Sequence, residues 1–283
     1  MFSSSSLNEA ANIPPPIQPW LETGVSNFQQ SLNKINNVSQ KSQALFYQFH
    51  TLDDTKNNTV IELPDACINI LFELTENSTS ATIRGLYDKP SSIILKPNTE
   101  YFGIKPYSTF GMKGWKIHPN QLYNNSIALN AAFINCDIIE HLQYKMDFNE
   151  KINLFLNHYT KNWLNQMYTP NIKEYYSLLL CITKGEESIR KLEVITGYSD
   201  RYCRKSFKSL YNCTPKTYLR IIRFQTSLHR LLLSSDDTIQ ISNLACDLGY
   251  SDEAHFINEF KCFSGLTPNN FRKCFRTYIR HTS

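Results

Sequence analysis

The last hundred residues of the chain repeat themselves, and no other feature limits the possible folds so strongly. The first copy runs Ile189, Leu192, Gly197-Tyr198-Ser199-Asp200, Phe207-Lys208, Asn212, Thr214-Pro215 and Tyr218. The second runs Ile241, Leu244, Gly249-Tyr250-Ser251-Asp252, Phe260-Lys261, Gly265, Thr267-Pro268 and Phe271. The offset is 52 residues up to the aspartate and 53 beyond it. Each position has a physical reason. Ile and Leu three apart give a short helix one apolar face. Gly197 and Gly249, two of only 9 glycines, end that helix where a positive φ is needed. Ser199 and Ser251 read as N-caps of the next helix, with Asp200 and Asp252 set against its dipole. Asn212 and Gly265 suit a left-handed close to that helix. Thr214-Pro215 and Thr267-Pro268 pair an N-cap with proline at the first helical position. Each copy therefore reads helix, tight turn, helix, short turn, helix.

A short helix, a glycine turn and a second helix form the geometry that presents the second helix to the DNA major groove, although any compact three-helix unit has a similar pattern. The segment from Pro215 to Ser234 carries Ile221, Phe224, Leu228 and Leu231 on one face. As one helix of about 20 residues it spans roughly 30 Å. Successive major-groove faces on one side of B-DNA lie about 34 Å apart, so one chain can place two reading helices a turn apart. Charge agrees. Lys plus Arg number 29 and Asp plus Glu 25, an unremarkable +4, but residues 183–283 hold 16 basic and 10 acidic side chains against 13 and 15 in residues 1–182. A basic terminal region beside a near-neutral one fits a polyanion partner.

The 283 residues fit about two domains. Residues 1–40 are rich in Ser, Asn, Gln and Pro and read as a mobile arm, with Trp20, Leu21 and Phe28 available to dock. Residues 41–136 carry short β-type runs: Ala44 to His50, Thr59 to Leu63, Ala66 to Leu74, Ala81 to Tyr87, Ser92 to Lys96 and Tyr101 to Ile104. Proline and Asn/Asp/Ser clusters punctuate them, which predicts a sandwich or small barrel. Residues 137–182 show helical spacing, with Phe148, Ile152, Phe155, Tyr159, Trp163 and Met167 at steps of three and four or close to it. This linker either packs on the barrel or pairs with a second copy to make a homodimer. Residues 183–283 form the duplicated helical domain, and the fold class is α+β, multidomain. No apolar run approaches the roughly 18 residues of a membrane span, and no secretory signal is visible, so a cytoplasmic chain is expected. The 8 cysteines include no C-x-x-C pair and read as buried small apolar residues.

Beyond this pattern the second copy has a family resemblance. The run Leu244-Ala245-Cys246-Asp247-Leu248-Gly249-Tyr250-Ser251-Asp252-Glu253-Ala254-His255-Phe256, with Phe260-Lys261, Gly265-Leu266-Thr267-Pro268 and Phe271-Arg272, resembles the AraC/XylS-type transcription regulators over about residues 185–276. The preceding region is more weakly similar to their cupin-like sensor domains, through Leu63-Pro64-Asp65-Ala66-Cys67-Ile68-Asn69-Ile70-Leu71-Phe72. The resemblance implies an N-terminal cupin-like β-barrel that senses a signal or dimerises. It also implies a C-terminal double helix-turn-helix domain on promoter DNA, often as an activator working with RNA polymerase. The first copy departs from the pattern, with Glu193 where Ala245 stands in the second and Thr196 at an apolar place.

Site residues follow from the two reading helices. In the first, Arg201, Arg204 and Lys205 align with groove-facing positions, with Arg204 the candidate for bidentate contact to guanine; a solvated basic face that meets only phosphate is the plainer alternative. Lys208 and Arg223 are expected on the DNA backbone. In the second, Glu253, Ala254, His255 and Asn258 align, with Lys261 beside them; Glu253 suits cytosine, Ala254 a thymine methyl and Asn258 adenine. In the sensor region Phe46, Tyr47, Phe72, Tyr101 and Phe102 either line a pocket for a small apolar or amphipathic effector or simply fill the barrel. The 7 histidines contain no His-x-His pair, so no metal, cofactor or enzymatic activity is expected. The competing function is a non-catalytic interaction protein that binds another regulator through the same helices.

Overall fold

The computed structural model describes residues 16–18, 25–34, 43–52, 59–106, 112–164, 198–211, 213–233 and 239–275. The first helix of the first copy, Gly197, Asn212 and Met167 lie outside the described residues.

The N-terminal region is built on antiparallel strands β1 (Ser26–Lys34), β2 (Gln43–His50), β3 (Thr59–Glu62), β4 (Asn69–Leu74), β5 (Thr79–Arg84), β6 (Ser91–Ile94), β7 (Glu100–Pro106) and β8 (Ser126–Ala128). Six form one sheet in the order β1-β2-β7-β4-β5-β8, and β3 pairs with β6 in a second, two-stranded sheet. Strands β3 to β6 are therefore nested hairpins whose outer ladder lies apart from the inner one. The antiparallel, strand-rich architecture expected as a sandwich or small barrel is found as these two sheets, which do not close into a barrel among the described residues.

Both faces of the large sheet are covered, which is why LFYQF and NILFEL read as nearly continuous apolar runs. Alternate residues divide between the faces. Phe46, Ile70, Phe72, Phe102 and Ile104 pack beneath a helical layer. Tyr47, Phe49, Leu71 and Tyr101 pack against Val60 and Ile93 of the small sheet. A Cβ on Gly103 of β7 would lie 2.0 Å from the Tyr47 ring, so that strand needs glycine where the ring crosses it. Between the sheets, buried Lys105 donates from Nζ to Glu62 (2.7 Å) and to Asp65, and Arg84 reaches the other Glu62 oxygen at 3.0 Å. Burial opposes the Glu62 charge, yet Lys105 and Arg84 hold its carboxyl at about 2.

The helical layer contains α1 (Leu129–Ala132), α2 (Ile138–His141) and α3 (Phe148–His158), the last running into a π-helical turn at Tyr159–Trp163. Phe148, Ile152, Phe155, Tyr159 and Trp163 are buried on the sheet. Lys151, fully buried, donates to Glu100 of β7 and, at 2.7 Å, to Gln48 of β2. Of the two expectations for this linker, packing on the sheet is the one found for its described part, residues 137–164, where the stripe from Phe148 to Trp163 is already covered.

The arm expectation does not hold for residues 26–34, which form β1 and pair with β2 at Ser26 and from Gln29 to Lys34, with an irregularity between. Phe28 stacks on Tyr47 with centroids 6.3 Å apart. The cysteine expectation also needs correction: Cys213 is buried and Cys67 and Cys136 are half-buried, but Cys246, Cys262 and Cys274 are exposed.

The C-terminal region holds α4 (Asp200–Tyr211), α5 (Pro215–Leu233), α6 (Ile241–Asp247), α7 (Glu253–Ser264) and α8 (Pro268–Cys274). Its core is aromatic. Phe224 of α5 meets Phe260 and Phe263 of α7 at 5.2 Å each, and Phe260 meets Phe271 of α8 edge-on at 5.4 Å. No described helix is long and apolar enough to cross a membrane.

Candidate nucleic-acid interface

The turn between α6 and α7 is a Schellman motif. Gly249, at φ +73°, donates to Cys246 O at 2.9 Å, and Tyr250 N donates to Ala245 O at 3.0 Å. Ala245 is 1% exposed, as a close approach of two helices requires. The cap is one residue later than expected: Asp252, rather than Ser251, accepts from His255 N at 2.7 Å, and Ser251 Oγ donates to the Asp252 carboxylate. The His255 N–H and the Ser251 hydroxyl hold the Asp252 carboxyl below its ordinary range. Gly265, at φ +79°, closes α7, and Thr267 caps α8 with Pro268 at its start.

With Phe256, Phe260 and Phe263 buried, α7 turns Glu253, Ala254, His255, Asn258 and Lys261 to solvent. Residues 254, 258 and 261, at steps of four and three, form one exposed stripe. His255 leans back to the turn, with Nδ1 3.2 Å from Ser251 Oγ and its ring edge-on to Tyr250.

In the first copy Ser199 does act as expected, its Oγ accepting from Tyr202 N at 3.4 Å. Phe207 is fully buried and meets Tyr218 of α5 edge-on at 5.4 Å. That leaves Arg201, Arg204, Lys205 and Lys208 exposed along one side of α4. Arg204 Nε donates to both Asp200 oxygens at 2.9 Å, an exposed pair that holds the guanidinium along the helix. Tyr202, 38% exposed and stacked on Tyr198 at 4.8 Å, adds an aromatic edge to this face. It was not among the sequence candidates; its signal is the four-residue step from Tyr198.

Helix α5 joins the two units. Its 19 residues run roughly 28 Å. Arg223, expected on phosphate, points instead into a node centred on Glu259 of α7. That carboxylate is 5% exposed. It accepts from Arg220 Nε at 2.6 Å, from Tyr250 Oη at 2.9 Å and from Arg223 at 3.5 Å. The Arg223 guanidinium lies 4.3 Å above the Tyr250 ring. Burial, then the Glu259 charge, pushes the Tyr250 hydroxyl above its ordinary value, which keeps it a donor. The node joins the connecting helix α5 to α7. A scan by charge alone could not see it, because an arginine at helical spacing looks the same whether solvent or a tyrosine lies beneath it.

The effector candidates are not brought to one place. Phe46, Phe72 and Phe102 face the helical layer, whereas Tyr47 and Tyr101 face the small sheet, and all five are at most 1% exposed. Among the described residues no group of three or more His, Cys, Asp or Glu side chains could hold a metal.

Residues 194–274 match the family described as "Helix-turn-helix domain". No curated protein matches the chain. Among solved structures it is similar to ToxT from Vibrio cholerae, at 10% identity over 87% of this chain and 98% of that one, with a TM-score of 0.43. A DNA-binding transcriptional dual regulator from Escherichia coli K-12 matches at 18% identity over 37% of this chain and 98% of that one, TM-score 0.32. The DNA-binding domain of AdpA, a global transcriptional factor solved with a target DNA, matches at 21% identity over 39% and 96%, TM-score 0.33.

Proposed function

We propose that this chain, whose C-terminal domain is an AraC-type helix-turn-helix domain, is a sequence-specific DNA-binding regulator of transcription that reads promoter DNA with α4 and α7. The observation that carries this is the pair of exposed stripes, Arg201-Arg204-Lys205-Lys208 and Ala254-Asn258-Lys261. Each stripe lies on a helix started by a side-chain cap, and one continuous helix joins the two. The first stripe supplies charge for the phosphates and an arginine fork for guanine; the second supplies an amide for adenine and a methyl for thymine. Glu253 and His255 flank the second stripe. Lys208 meets backbone phosphate, and Arg223 acts by holding α7 against α5.

The N-terminal domain serves the signal, through an effector or through self-association, and the output is activation in concert with RNA polymerase. The work is binding rather than catalysis, and it takes place inside the cell, where promoter DNA is. The test is fluorescence anisotropy of the full chain on duplexes from its own upstream region and on scrambled duplexes, across a salt series. Binding that is selective and weakens linearly in log salt supports the reading. Equal binding to both duplexes contradicts it.

A further inference from the structure

Three segments distant in sequence meet at one buried point: residues 17–18, the loop between β3 and β4, and Gln225 in the middle of α5. Gln18 clasps the loop from one side. Its Nε2 donates to Leu63 O at 2.9 Å and to Asp65 Oδ2 at 2.8 Å, and its Oε1 accepts from Leu63 N at 2.8 Å. Gln225 clasps it from the other. Its Nε2 donates to Pro64 O at 2.8 Å, and its Oε1 accepts from Ile17 N at 2.9 Å. Both amides are buried, at 3% and 5% exposure, and each is used as donor and acceptor. The loop is also fixed from within, since Asp65 pairs with Lys105 between the sheets.

Around this node the apolar cores merge. Ile17, Leu63, Ala66 and Leu86 share one cluster with Phe207 of α4, with Cys213, and with Tyr218, Ile221 and Ile222 of α5. Nearby, the 3-10 turn Pro119–Leu122 packs on α4 itself. The two reading helices thus differ. Among the described elements α7 is held by α5, α6 and α8, all of its own domain, whereas α4 is held by α5 and by this turn of the sensor domain.

We propose that the sensor domain is a structural part of the first reader, and that Gln18 and Gln225 are positioning residues that seat α4 by clasping the β3–β4 loop. Glutamine suits this role: its amide hydrates fully when the domains part and pairs fully when they dock, so the contact is specific without being permanent. A buried leucine at position 225 would hold the domains together without fixing their register. The consequence is an asymmetric reader, in which the half-site under α4 is bound only with the sensor domain docked and the half-site under α7 is bound regardless.

This inference rests on the DNA-reading function proposed above. The experiment uses the full chain, its selected duplex, anisotropy and hydroxyl-radical footprinting, with Gln225→Ala and Gln18→Ala as the variants. Losing the two buried hydrogen bonds of Gln225, or the three of Gln18, should weaken binding about tenfold. Protection should disappear from the α4 half-site and persist at the α7 half-site, and the two variants, which alter opposite sides of the clasp, should behave alike. Unchanged affinity with both half-sites protected overturns the proposal. So does tighter binding, which would make the clasp a restraint, or equal loss at both half-sites, which would mean general unfolding. If the wild-type chain selects no duplex, it is the proposed function that fails.

Discussion

Glu259 places three donors around a carboxylate that is almost wholly buried, and its removal leaves Tyr250 Oη without its acceptor in the aromatic core. Glu259→Ala should therefore lower unfolding stability by about 1–3 kcal/mol, the cost of an unsatisfied buried donor. Denaturant titration checks this, and Glu259→Gln, which keeps an acceptor, should cost less. Arg204 is different in kind. Its pair with Asp200 is exposed, and such pairs contribute little to stability, so Arg204→Ala should leave the midpoint of unfolding almost unchanged. On DNA it should weaken the selected site by about 1–3 kcal/mol and relax preference at one base pair. Lys208→Ala should instead weaken all sequences alike and make the salt slope shallower by about one unit. A gel-shift series in which Arg204→Ala also weakened every sequence equally would reduce that arginine to a phosphate contact.

At the level of elements, what the sequence made legible followed from strong local chemistry. Gly249, Gly265, Thr267-Pro268 and Thr214-Pro215 each do the turn or cap work their side chains favour. The connecting helix ends within one residue of its expected limit. The central strands were visible because a sheet covered on both faces selects apolar residues at every position. Strand β1 was not visible: SNFQQSLNK is an edge strand, much of it facing solvent, and its pairing is made by backbone that any sequence supplies. The split of the aromatic candidates between two faces was also hidden, because it depends on strand pairing between distant segments.

The cap shift from Ser251 to Asp252 has a measurable consequence. Asp252 has a depressed carboxyl pKa when folded, so its contribution is present above the ordinary carboxylate range and lost as pH falls through its folded value. Asp252→Ala should lower the thermal midpoint at neutral pH, and the difference from wild type should shrink in strong acid. A difference independent of pH would assign the cap elsewhere.

Across the described residues of the two helix-turn-helix copies, charge and packing are distributed in opposite senses. Among the described elements, the basic stripe lies on α4, which packs on α5 and on a turn of the N-terminal region, and the nearly neutral one lies on α7, which packs on α5, α6 and α8. Most of the salt dependence of DNA binding should therefore come from the first reader and much of the base selection from the second. The overall +4 conceals this, because it averages a slightly acidic N-terminal region with a basic C-terminal one. In the proposed function α5 spaces the two stripes, and its roughly 28 Å approaches one turn of B-DNA. The most direct measurement is selection of bound duplexes from a randomised pool by the full chain, followed by hydroxyl-radical footprinting of the winners. Two short protected tracts on one face of the duplex, with centres about 10 base pairs apart, are the expected result. Recovery of no preferred sequence, or of a single tract, would contradict a chain that reads DNA with both helices.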